Sequence, residues 1–237
     1  MKKHFSRFVA VLLTVCSILS CGGNKDQGAG GGGNGGGEGQ GSRKLLSQAL
    51  PGDIGRVAGQ DGYIYDNAAS ATSWGTTAVA MIAYVGAGNE KVKCTNGLAI
   101  ALKDDENSAG IAYDIAMNLE RPTVANATWR LPSAQDWQIM FKACGSTDNI
   151  IADGSLNNTS RMNAMDFQTK LKAVGTGFKG ESYSYWSSTK SGYQVERPVG
   201  SGNYYDQVWS LNFNFVYAQF GAGAITVNCL SRGCLVF

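Results

Sequence analysis

The stretch VWSLNFNFVYAQF, Val208 to Phe220, constrains the fold more than any other. From Trp209 to Tyr217 every odd position is Trp, Leu, Phe, Phe or Tyr, and the even positions begin Ser210, Asn212, Asn214. Successive side chains of a strand point to opposite faces, so this period predicts one half-buried strand reaching from Val208 to about Tyr217. Trp209, Leu211 and Phe213 then belong to an inner face. A chain built around such a strand needs a sheet and an apolar layer to set it against. The flanking text agrees: YSYWSST, AITVNCL and CLVF are β-like from Tyr183 to Phe237.

The preceding region mixes periods. GRVAGQDGYIY reads as a hairpin with Asp61-Gly62 near its turn. Ala78 to Gly86 and Gly97 to Asp104 read as buried strands. In SAGIAYDIAMNLE, Ile111, Ile115 and Leu119 recur at four-residue steps, which predicts a helix. Ser133, three residues before Asp136, starts a second helix as a capping box, and Gly145 stops it. A third helix is expected over Arg161 to Val174, ending at Gly175. Helix-rich text followed by strand-rich text predicts an α+β domain.

The N-terminal region has no part in that core. Lys2, Lys3 and Arg7 precede a short apolar run, Phe8 to Leu19, which reads as an export signal over residues 1–20. The run closes on SILSC, which resembles the lipobox of bacterial lipoproteins, with Ile18 where Leu is usual. That resemblance implies lipidation of Cys21 and anchoring without a spanning helix. Gly22, rather than Asp, follows the cysteine and favours an outer-membrane, cell-surface location. An ordinary signal with an incidental cysteine is the alternative. Twelve of the twenty residues from Gly22 to Gly41 are Gly, so residues 21–44 form a tether with a reach of roughly 25 Å. Residues 45–237 suit one domain. Without Lys2, Lys3 and Arg7 the chain holds 17 basic and 18 acidic side chains, which argues against a nucleic-acid partner.

The sole histidine is His4, inside the signal. The remainder lacks the imidazole of Ser–His–Asp and Cys–His catalysis, so no catalytic residue is assigned and no enzyme is expected. Cys94, Cys144, Cys229 and Cys234 remain, and exported chains permit disulfides. Their three pairings stay open. Their spacing does not suit zinc. KDDEN, 103–107, lacks the ligand spacing of a calcium loop and reads as a solvated acidic loop. No metal and no cofactor is expected.

Three pieces together carry a family likeness: WRLPSAQDW at 129–137, YWSST at 185–189, and VWSLNF at 208–213 with SRGCLVF at the end. The chain resembles the C-type-lectin-like domains of bacterial exported lipoproteins, over roughly residues 50–237. The resemblance implies helices flanking a twisted antiparallel sheet and a ligand-facing second half. The motifs of calcium-dependent sugar binding are absent; in ERP, 196–198, Arg197 breaks the Glu-Pro pattern of one of them. Some members are variable proteins of diversity-generating retroelements, in which template adenines are randomised on copying. AAY codons become NNY codons, which never encode Gln, Lys, Glu, Met or Trp. From Ser210 to Cys229 only Gln219 falls outside that set. Tyr, Ser, Gly and Asn are also what antibody loops use. An ordinary β-rich region favours Phe, Tyr, Val and Thr as well.

By this reading Trp129, Trp137 and Trp186 belong to the frame. The expected ligand-binding residues are Tyr183, Tyr193, Tyr204, Tyr205, Asp206, Ser210, Asn214, Phe215, Tyr217 and Phe220. The expected function is a surface-anchored binding module for an unidentified protein or glycan, attached to the membrane by its lipid. A relative of the formylglycine-generating oxidases, using Cys229 and Cys234, is one alternative. A structural cell-surface subunit is another.

Overall fold

Two antiparallel sheets carry the fold. The computed structural model describes residues 43–237, apart from 106–109, 149–155, 157–159, 181–182 and 215. Cys21, Phe215 and nearly all of the tether lie outside the described residues. In chain order the elements are β1 (Lys44–Leu45), β2 (Val57–Gly59), β3 (Tyr63–Tyr65), α1 (Ala68–Ser73), β4 (Ala78–Val85) and β5 (Gly97–Ala101). These are followed by α2 (Tyr113–Asn118), β6 (Thr128–Arg130), α3 (Ala134–Ala143), β7 (Arg161–Asn163) and α4 (Met165–Val174). The chain closes with β8 (Ser184–Glu196), β9 (Tyr204–Phe213), β10 (Tyr217–Ala224) and β11 (Cys234–Val236). One sheet has the order β1-β3-β2-β4-β5-β11-β6 and the other β7-β10-β9-β8. With four short α-helices among the described residues, this is an α+β chain of mostly antiparallel sheet. Helices flanking a single sheet are not what forms, because the aromatic C-terminal strands make a second sheet.

Local chemistry explains most elements. Gly62 takes φ +81° in the turn between β2 and β3, where the left-handed region suits glycine. Asp61 fixes that turn by accepting from the Tyr63 N–H (3.3 Å) and the Tyr65 hydroxyl (2.6 Å). At α3 the capping box forms as predicted: Ser133 Oγ accepts from the Asp136 N–H (3.0 Å), and Asp136 Oδ2 from the Ser133 N–H (2.8 Å). α1 was not legible from apolar spacing; Asn67 caps it through Ser70 N–H (2.9 Å).

The main core lies among one face of the seven-stranded sheet, the inner faces of α3 and α4, and one face of the four-stranded sheet. Met81, Leu98 and Ile100 meet Trp137, Phe141, Phe167 and Leu171 there, with Tyr185, Trp209, Leu211 and Phe213 closing it. Phe178 stacks on Phe213 at 3.9 Å between ring centroids. Burial of each such side chain contributes about 1.5–3 kcal/mol. β5 is apolar throughout because Ala99 faces a second cluster with Ile64, Leu235 and Phe237. A third cluster, with Leu131, Trp186, Val208 and Cys229, covers the far side of β8 and β9. None of the helices described is long and apolar enough to cross a membrane.

Three expectations are corrected. The alternation from Trp209 to Tyr217 belongs to two strands: Asn214 Oδ1 accepts from the N–H groups of Val216 (2.9 Å) and Tyr217 (2.6 Å) and turns the chain. The helix expected from Arg161 begins at Met165, because Arg161–Asn163 pair with Tyr217–Gln219. The helix around Ile115 shrinks to six residues, since Ile111 bridges to Cys229 instead; Ile115 is left 51% exposed.

Where the domain begins, Arg43 is clamped. Its guanidinium lies over the rings of Tyr63 (4.3 Å) and Trp74 (4.5 Å) and donates to Asp61 Oδ2 (3.2 Å) and the Tyr65 hydroxyl oxygen (3.3 Å).

Candidate binding surface

β8 and β9 form a long hairpin. β10 accompanies β9 only as far as Gln207, through its pairing with Ala224. Beyond that point β8 and β9 continue as a two-stranded arm, with Gln194 opposite Asp206 and Glu196 opposite Tyr204. Tyr193 is 68% exposed and Tyr204 63%; Tyr205 and Asp206 are half-buried. Asp206 is pinned by Lys190 Nζ (2.9 Å) and Gln194 Nε2 (3.0 Å). The hydrogen bond from Gln194, then that from Lys190, hold its carboxyl below the usual carboxylate range. Lys190 is raised in turn, chiefly by Asp206. Lys190, Gly192, Tyr193, Gln194, Asp206 and Gln207 line a cleft of about 400 Å³.

Tyr183 and Tyr217 form a separate group at the other end of the sheet. They are 41% and 42% exposed, and the Lys179 ammonium sits 5.1 Å from the Tyr183 ring centre. Eight residues separate Tyr204 from Asn212, which lies beside this group. At about 3.3 Å per residue the two ends are roughly 26 Å apart. The expected binding residues therefore fall into two patches.

Three of them do not belong to a surface that displays side chains. Phe220 is fully buried, because Ala218, Phe220 and Ala224 are the inward face of β10. Ser210 is 7% exposed, and its hydroxyl is spent on Gly221 O at 3.2 Å. Asn214 makes the turn already described. Phe215 lies outside the described residues. Trp137, Trp186 and Trp209 are buried, and Trp129 is half-buried.

Sequence reasoning overlooked Lys190, Gln194 and Val199, the last 87% exposed between β8 and β9. It also overlooked the open face of β10, where Gly221 faces empty space. The period of β10 itself, read from Tyr217 onward, would have shown that face.

The acidic loop is not solvated where it is described. Asp105 forms a bidentate pair with Arg121 (3.0 and 2.7 Å), and Asp104 pairs with the buried Arg232. Arg232 also lies over the Phe178 ring and donates to Thr176 O (2.8 Å). Among the described residues no cluster of three His, Cys, Asp or Glu side chains could hold a metal.

The four cysteines are free. Burial pushes the thiols of Cys144 and Cys229 up to about 12 and that of Cys234 well above its ordinary value. Cys229 and Cys234 sit in different apolar clusters.

No family model matches the chain, and no curated protein matches it. Among solved structures it is similar to a fimbrial protein from Bacteroides ovatus ATCC 8483, at 14% identity and a TM-score of 0.38, over 78% of this chain and 48% of that one. The chain thus spans about half the length of that protein.

Proposed function

We propose that this chain is a surface-anchored binding lipoprotein, lipidated at Cys21, whose C-type-lectin-like domain holds out the β8–β9 arm to a protein ligand. One observation carries the reading. β9 buries Trp209, Leu211 and Phe213 at one end and exposes Tyr204 at the other, and β8 exposes Tyr193 on the same arm. Exposed tyrosines on a braced hairpin offer apolar area and a hydroxyl at small entropic cost, which is what contact residues supply. The Lys190–Asp206–Gln194 bonds brace the arm in advance of binding, and such preorganisation favours affinity.

The diversified reading is narrower than the sequence alone suggests. Leu211, Phe213, Ala218 and Phe220 lie in the NNY-compatible run and are buried, so free variation there would unfold the domain. Diversification is compatible only with open positions such as Asn212, Val216, Tyr217, Gly221 and Gly223.

The test is a photocrosslinking amino acid, benzoylphenylalanine, placed at Tyr193 or Tyr204 in full-length protein on intact cells, with exposed Thr169 as control. Adducts with a defined protein at the arm positions and not at Thr169 are expected. Equal adducts at all three positions, or none at the arm, would remove the reading.

A further inference from the structure

β8 is an edge strand of its sheet. Its outer side is covered near the domain: the Trp186 N–H donates to Leu230 O (2.9 Å) and the Ser188 N–H to Pro132 O (2.9 Å). Past Thr189, among the described residues, no backbone group of another element bonds to that side. A two-stranded ribbon is marginal in water, and a further strand is what steadies it.

The backbone directions at this edge are fixed by the hairpin. The Arg197 N–H donates inward to Asn203 O (2.9 Å), and Asp206 O accepts from the Ile225 N–H (3.1 Å) on the far side of β9. Gln194 lies opposite Asp206, and Val195 opposite Tyr205. Hydrogen-bonded and non-hydrogen-bonded pairs alternate along an antiparallel ladder. Val195 and Arg197 therefore turn their backbone groups toward β9, while Gln194 and Glu196 turn theirs outward. The free stretch has definite limits. Gly192 takes φ +80° and bends the strand, and Pro198 has no N–H to donate. Residues 193–197 are what remains.

That stretch is complementary to itself. In an antiparallel pairing of two copies about Val195, residues equally distant from Val195 face each other. Gln194 of each copy exchanges both backbone hydrogen bonds with Glu196 of the other. Tyr193 of each copy faces Arg197 of the other, on the same side of the sheet as Val195. Tyr193 is 68% exposed. Arg197 is exposed and, among the described residues, enters no ion pair. A guanidinium over a tyrosine ring is attractive. On the other side of the sheet Gln194 spends one amide donor on Asp206 and has a second for the facing Glu196 carboxylate. No like charges are opposed, and Lys190 and Arg197 balance Glu196 and Asp206 within each arm. A foreign strand would gain the backbone bonds alone; a second copy gains the Tyr193–Arg197 contact twice, as a two-fold interface requires.

We propose that the arm's protein partner is a second copy of this chain, joined by antiparallel pairing of residues 193–197 of β8. The proposal rests on the arm being the binding element and names its occupant.

The test reads the register by disulfide formation in full-length protein on intact cells, with oxidised glutathione as electron acceptor. Residues facing each other at a non-hydrogen-bonded position have Cα atoms about 4.5 Å apart, within the roughly 4.4–6.8 Å that a disulfide spans. Val195→Cys should give a species of twice the chain mass, while the native chain and the exposed control Thr169→Cys should not. Tyr193→Cys and Arg197→Cys should crosslink when the two chains are expressed together, and neither should when expressed alone. If Val195→Cys does not fold, that mixed pair decides. Arg197→Glu should weaken association of the purified full-length chain in detergent at least tenfold by sedimentation. Crosslinking of Thr169→Cys equal to that of Val195→Cys, no crosslink at Val195 or in the mixed pair, or association unchanged by Arg197→Glu overturns the pairing. Photoadducts from Tyr193 to a different protein, without the Val195 crosslink, overturn it while leaving the arm a binding element. Absence of both photoadducts and crosslinks removes the two together.

Discussion

Arg232 and Asp104, 128 residues apart in the chain, meet in the interior with Nε 2.7 Å from Oδ1. The arginine side chain is fully enclosed and the aspartate 16% exposed. The pair ties the segment before β11 to the end of β5, and Tyr185 of β8 joins it through Asp104. Removing one partner of a buried pair leaves a charge without compensation and costs about 3–5 kcal/mol. Arg232→Ala and Asp104→Ala should each lower the urea midpoint accordingly. A change under about 1 kcal/mol in both would mean that water already solvates the pair.

The buried and the exposed aromatics of the four-stranded sheet should respond differently to truncation. Trp209→Ala and Phe220→Ala remove buried rings and should cost about 3–5 kcal/mol each. Tyr193→Ser with Tyr204→Ser alters exposed positions and should stay within about 0.5 kcal/mol per site. Thermal unfolding of the three proteins distinguishes the outcomes. An arm double variant as damaged as Trp209→Ala would place the tyrosines in a structural role.

The buried thiols set an alkaline limb of stability. Burial raises Cys144 and Cys229 from 9.0 to about 12. Below pH 9 folded and unfolded chains both keep the proton, and the contribution is intact. Between pH 9 and 12 only the unfolded chain loses it, so stability falls by about 1.4 kcal/mol per pH unit for each thiol. Urea midpoints measured from pH 8 to 11 in reducing buffer should fall less steeply for Cys229→Ala than for the native chain. Parallel slopes would show that this thiol titrates normally in the fold.

The DNA around the gene tests diversification directly. A near-repeat of the final coding segment should carry AAY codons opposite Asn212, Val216, Tyr217, Gly221 or Gly223, beside a reverse-transcriptase gene. Codons for Leu211, Phe213 and Phe220 should match in both copies. So should those for Trp209, whose TGG codon holds no adenine, and Gln219, which NNY cannot encode. Differences concentrated at the buried positions would be incompatible with this fold. With no repeat nearby, the surface around Asn212 and Tyr217 would be as fixed as the arm.

Lipidation is tested by labelled palmitate, which should enter the native chain and not Cys21→Ala. Equal labelling of both would discard the anchor.

Local chemistry was readable where it is confined to a few neighbouring residues. The Ser133–Asp136 box, the Asp61-Gly62 turn and the stop at Gly145 follow from side chains within three positions of one another. The inner face of β9 was readable too, because two-residue periodicity reports burial directly. Long-range partners were not. Nothing near Arg161 announces that it pairs with Gln219, and its apolar spacing suited a helix equally well. Phe220 looked open because the alternation was carried through Asn214, where a side-chain turn ends one strand and the next sets its own inward face. Asp104 and Asp105 looked solvated because Arg121 and Arg232 are remote in the chain.

The clamp at Arg43 has a mechanical consequence. If the Gly-rich segment tethers the domain as proposed, a load drawn along it would enter at this residue, beside a two-residue edge strand. Two aromatic rings, a carboxylate and a hydroxyl take up that load before Leu46, the first enclosed side chain, is disturbed. β1 pairs with β3 alone, so its detachment would leave β2, β4 and β5 joined and the main core closed. Under such a load the first few residues would act as a sacrificial link: tugging would fray the edge while the arm kept its shape.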